Sequence, residues 1–230
     1  MIINNIADEV ARSRFDRFTA PRIAAALDLE FEIRHLVSGA PMMPGDEHLA
    51  VVLSGSGLSA AEDNPRDGEL MAAVRVFAER DLPILGICYG HQMVVRALGG
   101  QCRKAAIPEF GWKRVETRPD PIFDGLAEPV TLHSHYDEVH DLPADFEVIA
   151  STEECEVQAF RIANRPIWGV QFHPEMDHAE GQAMLDDNLR TEPQAPALYV
   201  DELQSPAQAD ANIRIFENFA RAVRRPAAVL

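Results

Sequence analysis

The chain contains few cysteines and few basic residues. Its three cysteines, Cys88, Cys102 and Cys155, are too few and too widely spaced for a disulfide framework or a zinc ribbon. Against 37 Asp and Glu there are only 21 Lys and Arg, which are scattered and leave a formal net charge of -16. This charge repels phosphate backbones and anionic lipid surfaces, so we expect neither nucleic acid nor a membrane as a partner.

Long apolar runs and targeting signals are also missing. No run approaches the ~18 apolar residues that a membrane-spanning helix needs. Residues 1–14 include Asp8 and Glu9 and lack the basic start and apolar centre of a secretory signal. Together with the scarcity of cysteine, these absences predict a cytoplasmic protein. The glycines at 55 and 57 lack the Gly-Lys-Ser/Thr ending of a phosphate loop, and we expect no cofactor.

Short apolar segments alternate with a helical pattern in the first half of the chain. Strands are predicted at Phe31–Val37, Ala50–Leu53 and Pro83–Ile87, the last two being the nearly continuous apolar segments of a buried parallel sheet. Between these two, Gly68–Arg80 has the spacing of an amphipathic helix. This βαβ order favours a parallel sheet with helices on its faces.

After residue 100 the pattern changes to shorter strands separated by Pro, Gly and Asp turns. These strands are Trp112–Thr117, Val130–His133, Phe146–Ser151, Glu156–Ile162 and Ile167–Gln171. Thr191–Gln208 holds three prolines and predicts a loop before a final helix around Asp210–Val223. The sequence therefore predicts one α/β domain over residues 1–230, with a mostly parallel, flavodoxin-like sheet flanked by helices and an added antiparallel portion.

The strongest local signal is an apolar strand that runs into Gly86-Ile87-Cys88-Tyr89-Gly90 and then into a helical segment. Glycines two residues before and two after Cys88 permit a sharp strand-to-helix turn that projects the thiol from the sheet. The amides and positive dipole at the start of the helix favour the thiolate, which is the reactive form. A buried structural cysteine is the alternative, and this turn alone leaves both open.

A second apolar strand ends in Phe172-His173-Pro174-Glu175. Catalytic groups collect at the C-terminal ends of parallel strands, so His173 can meet Cys88 as base and nucleophile. Glu175 can then accept a hydrogen bond from the far imidazole nitrogen and hold the ring in place. Taken alone, His173 has a structural histidine as its alternative; the two segments together favour a Cys-His-Glu triad.

Gly86–Gln92 and Gly169–Glu175 resemble the two signature segments of class I glutamine amidotransferases. The resemblance extends over nearly the whole chain, because Val51–Ser56 looks like the family's oxyanion strand and Ser134–Val139 like its substrate-side loop. Glu109–Trp112 is most similar to the GMP-synthetase-like branch of the family. A single-domain member of that branch is therefore expected.

The resemblance implies a role for each matched position. Cys88 attacks the γ-carboxamide of glutamine, His173 takes and returns the proton, Glu175 orients His173, and water cleaves the resulting thioester. The implied oxyanion donors are the backbone amides of Ser56 and Tyr89, and the implied substrate-binding residues are Gly55, Gln92, Ser134 and Tyr136.

Two positions depart from the family pattern. Ser56 stands where a glycine is frequent, but the donor there is a backbone amide, which serine also supplies. Tyr136 stands where GMP synthetases usually have glycine, and an added ring in a tight pocket either excludes a ligand or stacks on a larger one. Tyr136 therefore leaves open whether the substrate is glutamine or a larger γ-glutamyl compound.

His133 and His135 raise the question of a metal. Two residues apart on a possible strand, they face the same side, as a pair of metal ligands does. No cysteine or carboxylate offers convincing companion spacing. The sequence therefore predicts no metal and explains both histidines as polar loop residues.

Three functions remain open. The favoured one is a free-standing glutaminase that releases ammonia for a separate synthetase subunit or another acceptor, because no ATP-pyrophosphatase part is visible. The second is a γ-glutamyl peptidase that cuts γ-glutamyl amides or glutathione-type conjugates by the same acyl transfer. The third is an inactive regulatory relative, which the retention of all three triad residue types disfavours.

Overall fold

The computed structural model describes residues 1–39 and 42–224; residues 40, 41 and 225–230 of the predicted domain lie outside that part. Eight strands form the central sheet. They are β1 (Ile2–Asn4), β2 (Ile33–His35), β3 (Val51–Leu53), β4 (Ile84–Ile87), β6 (Glu116–Thr117), β8 (Phe146–Ser151), β9 (Ala159–Ile162) and β10 (Ile167–Val170). Their spatial order is β2-β1-β3-β4-β10-β9-β8-β6.

The central sheet is parallel from β2 to β10 and antiparallel from β10 to β6. This arrangement confirms the predicted mostly parallel sheet with an antiparallel portion. The sequence patterns did not indicate β1, although Ile2 pairs with Ile33 on one side and Val52 on the other. A run of three residues carries too little periodicity to be recognised, and its burial between two neighbours stabilises it.

A second sheet of three strands packs beside the first. It consists of β5 (Gln101–Arg114), β7 (Val130–His140) and β11 (Tyr199–Asp201), in the order β11-β5-β7. The loop predicted at Ser134–Val139 is wrong, because this segment lies within β7 and pairs with β5. His135, Asp137 and Glu138 of this segment are buried although they are polar, and composition alone does not reveal this burial.

Eight α-helices surround the sheets in the described residues. They are α1 (Glu9–Arg14), α2 (Ala20–Leu27), α3 (Asp67–Glu79), α4 (Tyr89–Ala97), α5 (His178–Thr191), α6 (Ala195–Leu198), α7 (Pro206–Asp210) and α8 (Arg214–Arg224). The amphipathic helix and the final helix lie where they were predicted. The loop predicted at Thr191–Gln208 instead contains α6, β11 and the start of α7, because pairing of Tyr199–Asp201 with β5 orders it.

The apolar core lies on both faces of the central sheet. On one face Leu70, Val74 and Phe77 of α3 are fully buried, and on the other Phe216 and Phe219 of α8 are. Removing these side chains from water drives the association of the helices with the sheet. No helix in the described residues combines the length and apolar character needed to cross a membrane.

Candidate active site

Strands β4 and β10 are parallel neighbours and end side by side. Val170 pairs with Ile87, and the Cys88 amide donates a hydrogen bond of 2.8 Å to the Val170 carbonyl. Cys88 follows β4 directly, and His173 lies three residues beyond β10, so both emerge at the same edge of the sheet. The His173 amide then donates to the Leu132 carbonyl of β7 at 2.9 Å, which fixes the segment after β10.

Cys88 occupies a sharp turn between β4 and α4. Its backbone has φ 48° and ψ -107°, a conformation that costs a residue with a side chain ~1–3 kcal/mol. A Cβ at Gly86 would lie 2.7 Å from the Gly90 backbone, and a Cβ at Gly90 would lie 2.4 Å from the Leu53 carbonyl oxygen. These close backbone approaches require both glycines, as the predicted strand-to-helix turn demands.

The side chains of Cys88, His173 and Glu175 meet at this turn. Nδ1 of His173 lies 2.7 Å from Oε1 of Glu175, and the His173 ring is close enough to Cys88 for the two side chains to interact. The three residues are only 6%, 5% and 2% exposed, so water does not screen their charges. Gly55 packs behind them, because a Cβ there would lie 3.0 Å from the His173 ring and 3.5 Å from the Cys88 Cβ.

The charges around His173 determine its protonation. Burial alone lowers the pKa of His173, but the charges of Glu175 and Cys88, together with hydrogen bonds to both, raise this pKa well above its ordinary value. A protonated His173 therefore places a positive charge next to the Cys88 side chain. The N-terminus of α4, which begins at Tyr89, adds its positive dipole end next to Cys88.

Gln171, for which the sequence predicted no role, also reaches the sulfur. Its Nε2 lies 3.6 Å from Sγ of Cys88, and its Oε1 accepts a hydrogen bond of 3.0 Å from Gln92. Gln92 also donates to the Asp137 carbonyl at 3.2 Å. One sequence signal could have indicated Gln171. Side chains two residues apart in an extended segment face the same side, and Gln171 lies two residues before His173.

The two predicted oxyanion donors lie at different places around Cys88. Ser56 forms part of a cavity wall with Cys88, and Tyr89 is the first residue of α4. The first amide of a helix has no carbonyl partner within that helix, so it points towards other acceptors. The phenol of Tyr89 donates its hydrogen bond to Asp67, and its ring is fully buried in the core. The role of its backbone amide as an oxyanion donor stays a prediction.

A cavity of about 200 Å³ opens beside Cys88. Among the predicted residues, Ser56, Gln92, Ser134 and Tyr136 line it with Cys88, whereas Gly55 packs against His173 instead. The other lining residues include Lys104, Asn188 and Glu192, for which the sequence predicted no role. Because Asn188 and Glu192 come from the end of α5, far along the chain from the signature segments, no sequence signal pointed to them.

Tyr136, which departs from the family pattern, forms one side of this cavity. Its ring packs edge-on against Phe110 with centroids 5.1 Å apart, and its hydroxyl donates a hydrogen bond of 2.7 Å to Glu192. Burial, followed by the hydrogen bond and charge of Glu192, raises the pKa of Tyr136 to about 12. The phenol therefore stays protonated at neutral pH and turns towards α5.

A buried ion network lies next to the cavity. Oε2 of Glu109 is 3.0 Å from Nε2 of His135 and 3.9 Å from Nδ1 of His133. The expectation that no carboxylate accompanies these histidines is therefore wrong, because β-pairing brings Glu109 opposite His135, and both histidines lie in a strand rather than a loop. Oε1 of Glu109 accepts from the ammonium of Lys113 at 2.6 Å, and Oε2 accepts from the side-chain amide of Gln158. Both carboxylate oxygens therefore already have donors, and the absence of a metal stays a prediction.

Comparison with known proteins identifies the class to which this fold and site belong. Residues 36–191 match the family model of glutamine amidotransferase class-I. The chain belongs to this family. The match extends from just after β2 to the end of α5 and so contains Cys88, His173 and Glu175.

Individual relatives point to one branch of the family. The chain is 35% identical over 148 residues to a subunit of the glutamine-hydrolyzing GMP synthase of Thermococcus kodakarensis, a match covering 64% of this chain and 79% of that one. It is 43% identical over 114 residues to the glutamine-hydrolyzing GMP synthase of Caldicellulosiruptor saccharolyticus, which covers 48% of this chain but only 22% of the longer relative.

The fold has solved counterparts as well. A crystal structure from Thermoplasma acidophilum, of a protein proposed to be a GMP synthase subunit, superimposes with a TM-score of 0.70 at 25% sequence identity, covering 97% of this chain and 94% of the other. These similarities confirm the predicted family and its GMP-synthetase-like branch.

Proposed function

We propose that this protein hydrolyses the side-chain amide of glutamine through a thioester on Cys88 and releases ammonia. The observation that supports this most strongly is the buried contact of Cys88, His173 and Glu175 beside a cavity. Membership of the class I glutamine amidotransferases supports glutamine as the source of the amide. Residues 1–230 then act as one amidotransferase domain.

The first half of the reaction forms the thioester. The thiolate of Cys88 attacks the γ-carboxamide carbon, and the negative charge moves to the carbonyl oxygen, where the backbone amides of Ser56 and Tyr89 donate hydrogen bonds. The raised pKa of His173 means that the imidazolium holds a proton before the attack. His173 gives this proton to the departing nitrogen, the C–N bond breaks, and ammonia leaves.

The second half regenerates the enzyme. His173, now neutral, takes a proton from a water molecule as the water oxygen attacks the thioester carbon. The C–S bond breaks, glutamate leaves, and the imidazolium–thiolate pair is restored. Glu175 accepts a hydrogen bond from Nδ1 throughout, which keeps the other ring nitrogen directed at the sulfur and the substrate.

We propose further that the ammonia is delivered to a separate synthetase subunit. The relative from Thermococcus kodakarensis is named as one subunit of a GMP synthase, and the match covers most of that chain. A protein of this kind supplies the glutaminase step to a partner that holds the acceptor. Co-purification from the source cell, followed by ammonia transfer in the reconstituted pair, tests this part of the proposal.

The hydrolytic step is tested by replacing each thiol in turn. Cys88→Ala is expected to lower ammonia release from glutamine on the order of 10⁴-fold to 10⁶-fold, since the nucleophile is removed. Cys102→Ala is the matched control, because this half-buried free thiol takes no part in the mechanism. An active Cys88→Ala variant would rule out the mechanism. Faster turnover of γ-glutamyl peptides than of glutamine would establish the γ-glutamyl peptidase alternative instead.

A further inference from the structure

The end of helix α5 contributes two polar side chains to the cavity beside Cys88. Asn188 donates from Nδ2 to the Ser134 hydroxyl at 2.7 Å, and Glu192 accepts from the Tyr136 hydroxyl at 2.7 Å. Glu192 leaves the helix with an extended backbone, φ -101° and ψ 113°, because Pro193 follows it and disfavours the helical conformation. The helix end therefore points a carboxylate at the cavity.

The cavity wall carries two carboxylates, Asp137 and Glu192, and within the described residues only Asp137 forms an ion pair. Asp137 is paired with the ammonium of Lys104 at 3.0 Å and also accepts from the Ser59 hydroxyl at 2.7 Å. Within the described residues Glu192 makes no ion pair, and its carboxylate contacts only the neutral hydroxyl of Tyr136. The cavity thus offers one carboxylate whose negative charge has no cation beside it among the described residues.

We infer that Glu192, held in place by Tyr136, binds the α-ammonium group of the γ-glutamyl substrate and makes a free α-amino group a requirement for binding. This inference rests on the proposed function. A carboxylate partly shielded from water binds a cationic group more strongly than a neutral one. The substrate class is therefore free glutamine and γ-glutamyl compounds with an unmodified amino group, whereas N-acylated glutamine and glutamine within a peptide are excluded.

Tyr136 acts in this site through Glu192 and is a positioning residue. Its ring is fixed against Phe110, so its hydroxyl holds the carboxylate in one orientation towards the cavity. The tyrosine that replaces the family's usual glycine therefore selects the amino-acid end of the ligand.

Binding to a variant that cannot react separates recognition from chemistry. Cys88→Ala is titrated by calorimetry with glutamine and with 4-carbamoylbutanoate, which is glutamine without its α-amino group. The background variant is expected to bind glutamine more tightly by roughly 10- to 100-fold, as a hydrogen bond to a charged group implies. Adding Glu192→Gln is expected to remove this preference by weakening glutamine binding alone.

Two further variants keep the test decisive. Asp186→Asn removes an equal charge from the exposed side of α5 and is expected to keep the preference for glutamine. Tyr136→Phe retains the carboxylate but frees it, and is expected to reduce the preference without abolishing it. If Glu192→Gln does not fold, a full preference in Tyr136→Phe overturns the inference.

The outcomes also separate this inference from the proposed function. Equal affinity of Cys88→Ala for the two ligands, no binding of either, or an unchanged preference after Glu192→Gln would overturn the role of Glu192, even if the wild-type enzyme hydrolyses glutamine. A preference that depends on Glu192 in a protein whose wild type releases no ammonia would uphold the binding site and reject the hydrolytic function.

Discussion

Nδ1 of His173 lies 2.7 Å from Oε1 of Glu175, and both side chains are almost completely buried. Pro174 alone separates the two residues, and the charges of Glu175 and Cys88 both act on the His173 ring. A buried charge in this position both orients the imidazole and stabilises its protonated form.

Replacing Glu175 by Gln is expected to lower kcat on the order of 10²-fold to 10⁴-fold. The variant keeps the size of the side chain but removes the charge that raises the pKa of His173. Glutaminase assays measure this loss, and Glu153→Gln, an exposed carboxylate outside the site, serves as the control. Full activity in Glu175→Gln would contradict the role assigned to the carboxylate.

The pKa of His173 also links stability to pH. Because its folded-state pKa is raised above the ordinary value of 6.5, the stabilisation is fully present below that value and is lost as pH rises through the folded-state pKa. The free energy of unfolding of the wild type, relative to His173→Gln, is therefore expected to decrease as pH rises above about 6.5. Urea denaturation at a series of pH values checks this, and a difference that grows with pH would have the wrong sign.

Arg22 of α2 is expected to position the segment that carries Glu175. Its guanidinium donates to the Glu175 carbonyl and to the Asp177 carboxylate, the latter at 2.9 Å. Arg22→Gln removes this ionic clamp, so kcat is expected to fall by roughly 10- to 100-fold with little change in KM, because a small misplacement of the triad is costly. Arg17→Gln, in the preceding π-helical turn, is the control. A change confined to KM would argue against positioning.

Replacing Gly90 by alanine and replacing Gly68 by alanine are expected to have opposite effects on the free energy of unfolding. A Cβ at Gly90 would approach the Leu53 carbonyl oxygen to 2.4 Å, so Gly90→Ala is expected to lower the free energy of unfolding by ~1–3 kcal/mol. A Cβ at Gly68 in α3 would meet no described atom within 4 Å, so Gly68→Ala is expected to be neutral or to stabilise by up to ~1 kcal/mol. Thermal and urea unfolding of both variants measures the contrast.

The sequence predicts those parts of the site in which the local pattern and the chemistry of the residues indicate the same structure. The turn at Cys88 requires two glycines at fixed spacing, and His173 follows a buried apolar strand, so both motifs can be recognised from the sequence. The tendency of catalytic groups to collect at the C-terminal ends of parallel strands then predicted that the two motifs meet, and in the structure the His173 ring lies next to Cys88.

Contacts between residues that are far apart in the sequence could not be predicted in the same way. Glu109 joins the two histidines only because β5 lies opposite β7, and Glu192 reaches Tyr136 only because α5 ends beside the second sheet. Neither relationship leaves a period or spacing in the sequence. The interpretation of Ser134–Val139 as a loop failed for the same reason, since its burial comes from the partner strand.

The most direct test of the central claim is to trap the covalent intermediate. The protein is quenched with acid during turnover of glutamine, and the peptides are mapped by mass spectrometry. We expect a γ-glutamyl adduct on the peptide containing Cys88, released by hydroxylamine as a thioester is, and absent from Cys88→Ala. Ammonia release accompanied by an adduct on Cys102 or Cys155, with Cys88 unmodified, would contradict the account.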